Sequence, residues 1–594
     1  MSHLLHPSQW HSHDRGTMTR SPRTRLWRST LAVSAAIAVT AGVVAAAPDS
    51  KKKAPAAAKP KLSLIAATKS VTLDKYSWSE GVWLDLGTYL TAEGAPFEFK
   101  VTRESYKKPI VAKQIIRDGK KTTTKTLPTG TVKDFSGLPD FVDVKITDPA
   151  GKTVLKTSQN FCPNNASGRV RPDAPATSKY PGGCPTNPFT LGSVWGVEEG
   201  WASNTYSGHY EDDATVDLAA GSYTAKISVA KKYRDLFGIA NKTQTVKVTV
   251  IEHPDEPGEG GWGAARKAAA GAGADAHAHH AGHGKAQPPV SLAEATGGTA
   301  PTYNVGHGPH PPAPPALPWA LKKNARTSAN IGDKAGQTDG SRQAPGAKPN
   351  AKRPTGKPVV PASAPKPDLR SLPAYGVTIV DGKEYDTPGK DYVAFSANVW
   401  NAGPAQLVVD GFRKPGADLM DAYQYFYDAK GKQIGYTPTG TMEWDPRPGH
   451  VHWHFTDFAS YRLLKEDKKE AVRSGKEAFC LANTDAVDYT VKNANWHPDG
   501  TDLSTSCGQE NSISVREVLD VGSGDTYTQD LPDQSFDITD VPNGTYWIQV
   551  LANPEKRLKE TSTSNNSALR KIVLGGKPGA RTVSVPAHHL VDAN

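Results

Sequence analysis

Four cysteines are all that this chain of 594 residues contains, and hydrophobic residues make up only 37% of it. The cysteines fall as two local pairs, Cys162 with Cys184 and Cys480 with Cys507, and their spacings match no zinc-ribbon pattern. The low hydrophobic fraction, with 54 glycines and 47 prolines, excludes a chain packed throughout into cores; part of it is expected to stay unfolded. Long apolar runs are missing after the N-terminus, which excludes a helical membrane span in the mature chain. Helical periodicity is nearly missing too, and only LLKEDKKEAVRSG, residues 463–475, reads as a modest helical stretch. Aromatics are absent between Leu321 and Arg370, where eleven Lys/Arg face three Asp. With no ring to stack on a base, that stretch is a poor fit to sequence-specific reading of nucleic acid. Loose attraction to an anionic wall polymer and a merely solvating charge run both fit it.

The chain is too long for one core and is expected to form two or more domains. Arg20, Arg23, Arg25 and Arg28 precede the apolar run Leu31–Val44, which ends in Ala45-Ala46-Ala47. That pattern predicts an export signal over residues 1–47 and a secreted, extracellular protein. An even cysteine count in an exported chain predicts that each local pair is a disulfide.

Short alternating runs broken by turn residues, such as VDVKITDPAGKTVL and GSYTAKISVA, predict a β domain over residues 62–252. Composition then shifts to Pro, Ala, Gly, His and Lys, which predicts a long disordered linker over 253–370. Alternation returns in YVAFSANVW and TYWIQVLA, giving a second β domain over 371–576 and a frayed tail over 577–594. The expected fold is mainly β, with two β-sandwich-like domains. The blocks also share short matches in the same order: PTGT at 128–131 and 438–441, Asp140-Phe141 and Asp457-Phe458, and NFC against AFC. NTY ending at Tyr206 then matches DTY ending at Tyr527, and GSYTAKISV matches GTYWIQVLA. Preserved order points to a degenerate internal duplication. Between PTGT and Asp-Phe the second block is seven residues longer, and the extra length includes part of a histidine segment that the first block lacks.

That segment, GHVHWHFTDF, sets His450, His452 and His454 at alternate positions. Three imidazoles on one face of a strand suit Zn, Cu or Ni and leave positions open for water or substrate. The outer two Cα atoms would be about 13 Å apart on a straight strand, so a twist or bulge is expected. Val451, Trp453 and Phe455 on the other face predict a strand half buried in a core. An exposed polar face with no metal is the plainer alternative. The linker's HAHHAGHG, with His277, His279, His280 and His283, fits a flexible low-complexity tract better than a copper relay.

EWDPRPGHVHWHFTDFASYRLL resembles the copper segment of the lysyl oxidase family, copper-dependent amine oxidases with a protein-derived quinone. GKEAFCL resembles the stretch carrying the lysine of the quinone cross-link, and GDTYTQD the stretch carrying its tyrosine. The resemblance runs from about Leu372 to Gly576. It implies Cu2+ held by His450, His452 and His454, and lysine tyrosylquinone formed from Lys476 and Tyr527. It also implies an oxidase that takes a primary amine, as peptidyl lysine or a small amine or diamine, and O2, and releases aldehyde, NH3 and H2O2. Asp445, Pro446 and Arg447 stand where the family carries a further histidine and a cysteine. The residues leave the α-proton base open between Asp457 and Asp525, and Asp457 could instead orient a ligand histidine. Two other readings also remain: a zinc hydrolase on the three histidines, and a non-catalytic copper-binding or adhesive wall protein.

Overall fold

The computed structural model describes residues 59–593 except 77–80, 119–120, 165, 207–214, 254–353, 382–386, 448–450, 477, 499–502, 504 and 532. The expected export signal, most of the linker with its histidine tract, and His450 lie outside the described residues.

In the first block the chain forms β1 (Lys61–Ala66), β2 (Ser70–Tyr76), β3 (Thr88–Glu93), β4 (Phe97–Thr102), β5 (Val111–Asp118) and β6 (Lys121–Thr126). It continues through β7 (Leu138–Thr147), β8 (Thr153–Phe161), β9 (Ala166–Arg169), β10 (Gly192–Val197) and β11 (Trp201–Asn204). β12 (Gly221–Val229), α1 (Lys231–Phe237) and β13 (Gln244–His253) complete it. The second block opens with β14 (Leu369–Ser371), β15 (Tyr375–Val380), β16 (Tyr392–Asn401), β17 (Leu407–Arg413), β18 (Met420–Tyr427) and β19 (Gln433–Asp445). Then come β20 (His452–Thr456), β21 (Ala459–Lys465), β22 (Glu470–Arg473), β23 (Ala478–Phe479) and β24 (Asp485–Ala486). β25 (Ser514–Leu519), β26 (Ser523–Tyr527), β27 (Ser535–Asp537), β28 (Gly544–Ala552), β29 (Ser567–Lys577) and β30 (Ala580–Ser584) finish the chain.

Each block is mainly β, as alternation requires, and each encloses its own apolar cluster. Sheet order repeats between them. β1-β3-β11-β9 in the first block has its counterpart in β14-β16-β26-β24 in the second. In the same way β10-β4-β5-β6 answers β25-β17-β18-β19, and β13-β12-β7-β8 answers β29-β28-β21-β22. Both copies run in the same chain order, with antiparallel pairing at each matched step. Local detail repeats as well: Asp140 and Asp457 both adopt positive φ (51° and 64°), and Gly221 and Gly544 both sit at 152°. The two disulfides, Cys162–Cys184 and Cys480–Cys507, pair as expected. Gene-level duplication is the economical source of such a match. The histidine strand β20 and its partner β23 extend β19 at an edge where the first block has no described strand.

Three expectations need correction. Residues 463–475 form no helix: β21 and β22 make a hairpin, with Lys468 at φ 66° and the Lys468 N–H donating to the Lys465 carbonyl. Leu463 on the buried face of β21 pairs across β28, and that sheet burial overrides a weak helical pattern. The one described helix is instead α1, closed by Gly238 in the left-handed region. The tail is not frayed either. β30 pairs with β29, and Leu590 N–H donates to the Tyr106 carbonyl of the first block at 2.9 Å. Residues 354–370, expected in the linker, pack on the second block, where Val359 pairs with Tyr436.

Candidate active site

β19 and β20 form an antiparallel pair that sets Asp445 opposite His452 and Glu443 opposite His454. Trp453 and Phe455, which alternate with the histidines, are buried as alternation predicts, but His452 and His454 are 3% and 1% exposed, so the strand is buried on both faces. The two imidazole centroids are 4.6 Å apart with their planes at 71°. Asp445 Oδ2 stands 3.6 Å from His454 Nδ1 and is clamped by Arg447 at 2.7 Å. A carboxylate at that nitrogen favours the tautomer protonated at Nδ1 and directs the Nε2 lone pair outward to a metal.

Asp457, weighed above for that orienting role, is engaged elsewhere: Arg557 Nη1 donates to its Oδ2 at 2.7 Å. Asp445 was the harder residue to find, because its role follows from hairpin pairing rather than from proximity in sequence. Arg447 also donates to Asp533, and it joins that carboxylate to Asp445 beside the site.

Lys476 lies in the short connection between β22 and β23 and is 2% exposed. Its Nζ is 4.6 Å from the centre of the Tyr527 ring and 5.4 Å from that of Phe479. Burial is the largest influence on its amine and lowers its pKa to about 7, against the opposing pull of Asp445, Asp533 and Asp525. Tyr527, 1% exposed at the end of β26, is fixed through its hydroxyl. The Cys480 N–H donates to that oxygen at 2.7 Å, and the hydroxyl donates back to the Cys480 carbonyl at 3.3 Å. Burial, then the charges of Asp525 and Glu517, push the phenol well above its usual pKa, so it is held neutral. Phe479 packs edge-on to its ring at 5.0 Å and pairs through the backbone with Phe455 of the histidine strand.

Two further carboxylates complete the surroundings. Asp525 is two residues before Tyr527 in β26, on the same face, and 2% exposed. Glu517 is fully buried and accepts the Leu481 N–H at 3.0 Å; desolvation raises its pKa well above the ordinary range. Nothing in local sequence marked Glu517, because β25 reaches the site only through the fold.

The structure therefore brings Lys476 and Tyr527 together, and places His452 and His454 one strand pair away. His450 lies outside the described residues, so the described donor set stops at two imidazoles. Those two fit a borderline transition metal such as copper: they are buried, adjacent, and backed by a carboxylate. In the first block the residue matched to Asp525 is Asn204, whose amide donates to Asp85 at 3.0 Å. The matched Tyr206 is half-buried, with no lysine segment like GKEAFCL before it.

Comparison with known proteins agrees with this distribution. A family model described as lysyl oxidase matches residues 428–582. Human lysyl oxidase homolog 4 is 32% identical over 129 residues, which cover 22% of this chain and 15% of that protein. Zebrafish (Danio rerio) lysyl oxidase homolog 3B is 30% identical over 132 residues, 22% of this chain and 14% of that protein. Chicken (Gallus gallus) lysyl oxidase homolog 2 is 30% identical over 131 residues, with shares of 21% and 15%. The chain thus spans only about a seventh of the length of these curated relatives. The similarity is to the lysyl oxidase family, and the family model falls on the C-terminal segment that carries His452, His454, Lys476 and Tyr527.

Proposed function

We propose that the second block is a copper- and quinone-dependent amine oxidase acting on primary amines, either peptidyl lysine or small amines and diamines. The observation that carries this reading is the 4.6 Å between the Lys476 amine and the Tyr527 ring inside a core. Burying an amine costs several kcal/mol unless it is paired or neutral, so a lysine at this position is a poor choice for packing alone. In this reading His450, His452 and His454 hold Cu2+, and Lys476 and Tyr527 become lysine tyrosylquinone. When bound, these groups supply the electron sink that side chains lack, so that amine, O2 and water become aldehyde, NH3 and H2O2.

The chain's own residues prepare that chemistry. Burial keeps a large part of the Lys476 amine neutral at pH 7, as a nucleophile must be. The Cys480 peptide fixes the phenol, and Asp445 orients His454. Asp525 shares a strand face with Tyr527 and is the group we assign to receive the α-proton of an amine held against the ring. The export signal expected from the sequence and the two disulfides support a secreted protein. No helix among the described residues is long and apolar enough to cross a membrane.

Peroxide release from a simple diamine, measured before and after chelation, tests the reading. A zinc hydrolase or a binding protein would release none. Peptide mass spectrometry of the copper-loaded protein gives the second arm: recovery of Lys476 and Tyr527 only in separate, unmodified peptides would sink the oxidase assignment.

A further inference from the structure

The first block lacks the histidine triplet and the lysine, yet it touches the segment that pairs with the strand ending in Tyr527. β24 pairs with β26 through Asp485↔Gly524 and Ala486↔Ser523. From there the chain runs alongside residues 187–192 of the first block. The Leu191 and Gly192 N–H groups donate to the Val487 carbonyl at 2.8 and 3.2 Å, and the Tyr489 N–H donates to the Gly192 carbonyl at 2.9 Å. Gly192 has no room for a side chain, since a Cβ there would fall 2.1 Å from Asp488 Oδ1. Phe189, fully buried, packs into one cluster with Trp400 and Val487 of the second block.

A polar chain runs through this contact. The Asn187 amide donates to Asp485 Oδ2 at 2.9 Å, and its own oxygen is fixed by the Phe189 N–H at 2.9 Å. The same Asp485 oxygen accepts the hydroxyl of Thr526, the residue before Tyr527. Thr526 in turn accepts from the Asn398 amide at 2.8 Å, and its N–H donates to Thr484 Oγ1 at 2.7 Å. Asp485 is half-buried as a residue, but its carboxyl is enclosed, and burial is the largest influence on it, opposed by the Asn187 and Thr526 hydrogen bonds. One of those two donors comes from the other block.

We propose that the first block is an internal clamp on β26, and that Asn187 is its positioning residue, holding Thr526 and hence Tyr527 in place through Asp485. The clamp stands on the geometry of the two blocks; its consequence for quinone formation rests on the amine-oxidase reading. On that reading a loose β26 lets the Tyr527 ring wander from Lys476, and the cross-link forms slowly.

Hydrogen exchange on the full, metal-free chain tests the clamp directly. In Asn187→Ala an enclosed acceptor loses a donor, and exchange of the β26 amides should quicken by roughly tenfold, with β12, β13 and β28 unchanged. Asn187→Leu fills the same space without a donor, and it should quicken β26 exchange to a similar extent. Wild-type exchange in either variant, or acceleration spread evenly over all these strands, would overturn the proposal. A second arm adds copper and air and follows the Lys476–Tyr527 cross-linked peptide by mass spectrometry. Both variants should cross-link roughly tenfold more slowly than wild type. If wild type forms no cross-link at all, the oxidase reading fails, and the exchange arm alone decides the clamp.

Discussion

The Lys476 amine faces the Tyr527 ring at 4.6 Å, with Phe479 against both. The two residues reach one another because β23 pairs with the histidine strand while β26 lies in a different sheet; the site is thus a seam between sheets. A seam of this kind keeps both groups dry and lets each be anchored: the Ser474 hydroxyl accepts the Lys476 backbone N–H, and the Cys480 backbone N–H donates to the Tyr527 hydroxyl.

Maturation should depend on pH through Lys476. Only the neutral amine can add to an oxidised ring, and burial lowers its pKa to about 7. The rate of cross-link formation, read by peptide mass spectrometry in copper and air, should rise with pH and reach half its plateau near pH 7. A related effect concerns the unmatured chain. An unfolded lysine titrates near 10.4, so between about pH 7 and 10 the unfolded state binds more protons and stability rises with pH. Denaturant unfolding of metal-free protein at several pH values checks this, and Lys476→Met should flatten the rise.

Copper affinity should depend on Asp445. Its carboxylate faces His454 Nδ1 at 3.6 Å and is held there by Arg447. Asp445→Asn keeps the size and removes the charge, so metal affinity should fall about 10–100-fold. Competition against a chelator of known strength measures it. Asp457→Asn, which disturbs only the Asp457–Arg557 contact, should leave the affinity unchanged.

Much of this arrangement was legible before the fold was known, and the reason is periodicity. Alternation along YVAFSANVW and TYWIQVLA marks strands, and the ordered matches between blocks survive as matched sheet orders. What stayed hidden is non-local. The Asp445 role depends on which residue a hairpin sets opposite His452, and Glu517 arrives on a strand from the far edge of a six-stranded sheet. Asn187 is some 300 residues from Asp485, and no local pattern marks a hydrogen bond across such a distance. The 463–475 stretch misled for a different reason. Its charged centre is a hairpin turn, and Leu463 faces a sheet rather than a helix groove.

Turnover should depend on Asp525. It shares a face of β26 with Tyr527, and its charge reaches Lys476, Tyr527 and Glu517 alike. Removing a positioned proton acceptor typically costs 10²–10⁴-fold in rate. Asp525→Asn should lower kcat for a diamine by about that factor while KM and copper content change little. Steady-state peroxide assays normalised to the Lys476–Tyr527 cross-linked peptide in the same sample separate this from a failure to mature.

The two disulfides should differ in what they protect. Each closes a loop of similar length, with separations of 22 and 27 residues, so on chain entropy each contributes about 3–4 kcal/mol to stability. Only Cys480–Cys507 also joins the two halves of the site: the Cys480 peptide holds the Tyr527 hydroxyl, and the Cys507 carbonyl accepts the Trp453 N–H, between the two buried histidines. Cys162–Cys184 reaches the site only indirectly, through the 187–192 segment that begins three residues beyond Cys184. Paired Cys→Ser variants of either bridge should therefore lower the unfolding midpoint by similar amounts. Loss of Cys162–Cys184 should slow cross-linking no more than Asn187→Ala does, whereas loss of Cys480–Cys507 should slow it well beyond that. Equal cross-linking rates in the two variants would show that the second bridge acts on stability alone and that the Cys480 peptide needs no covalent anchor to hold Tyr527.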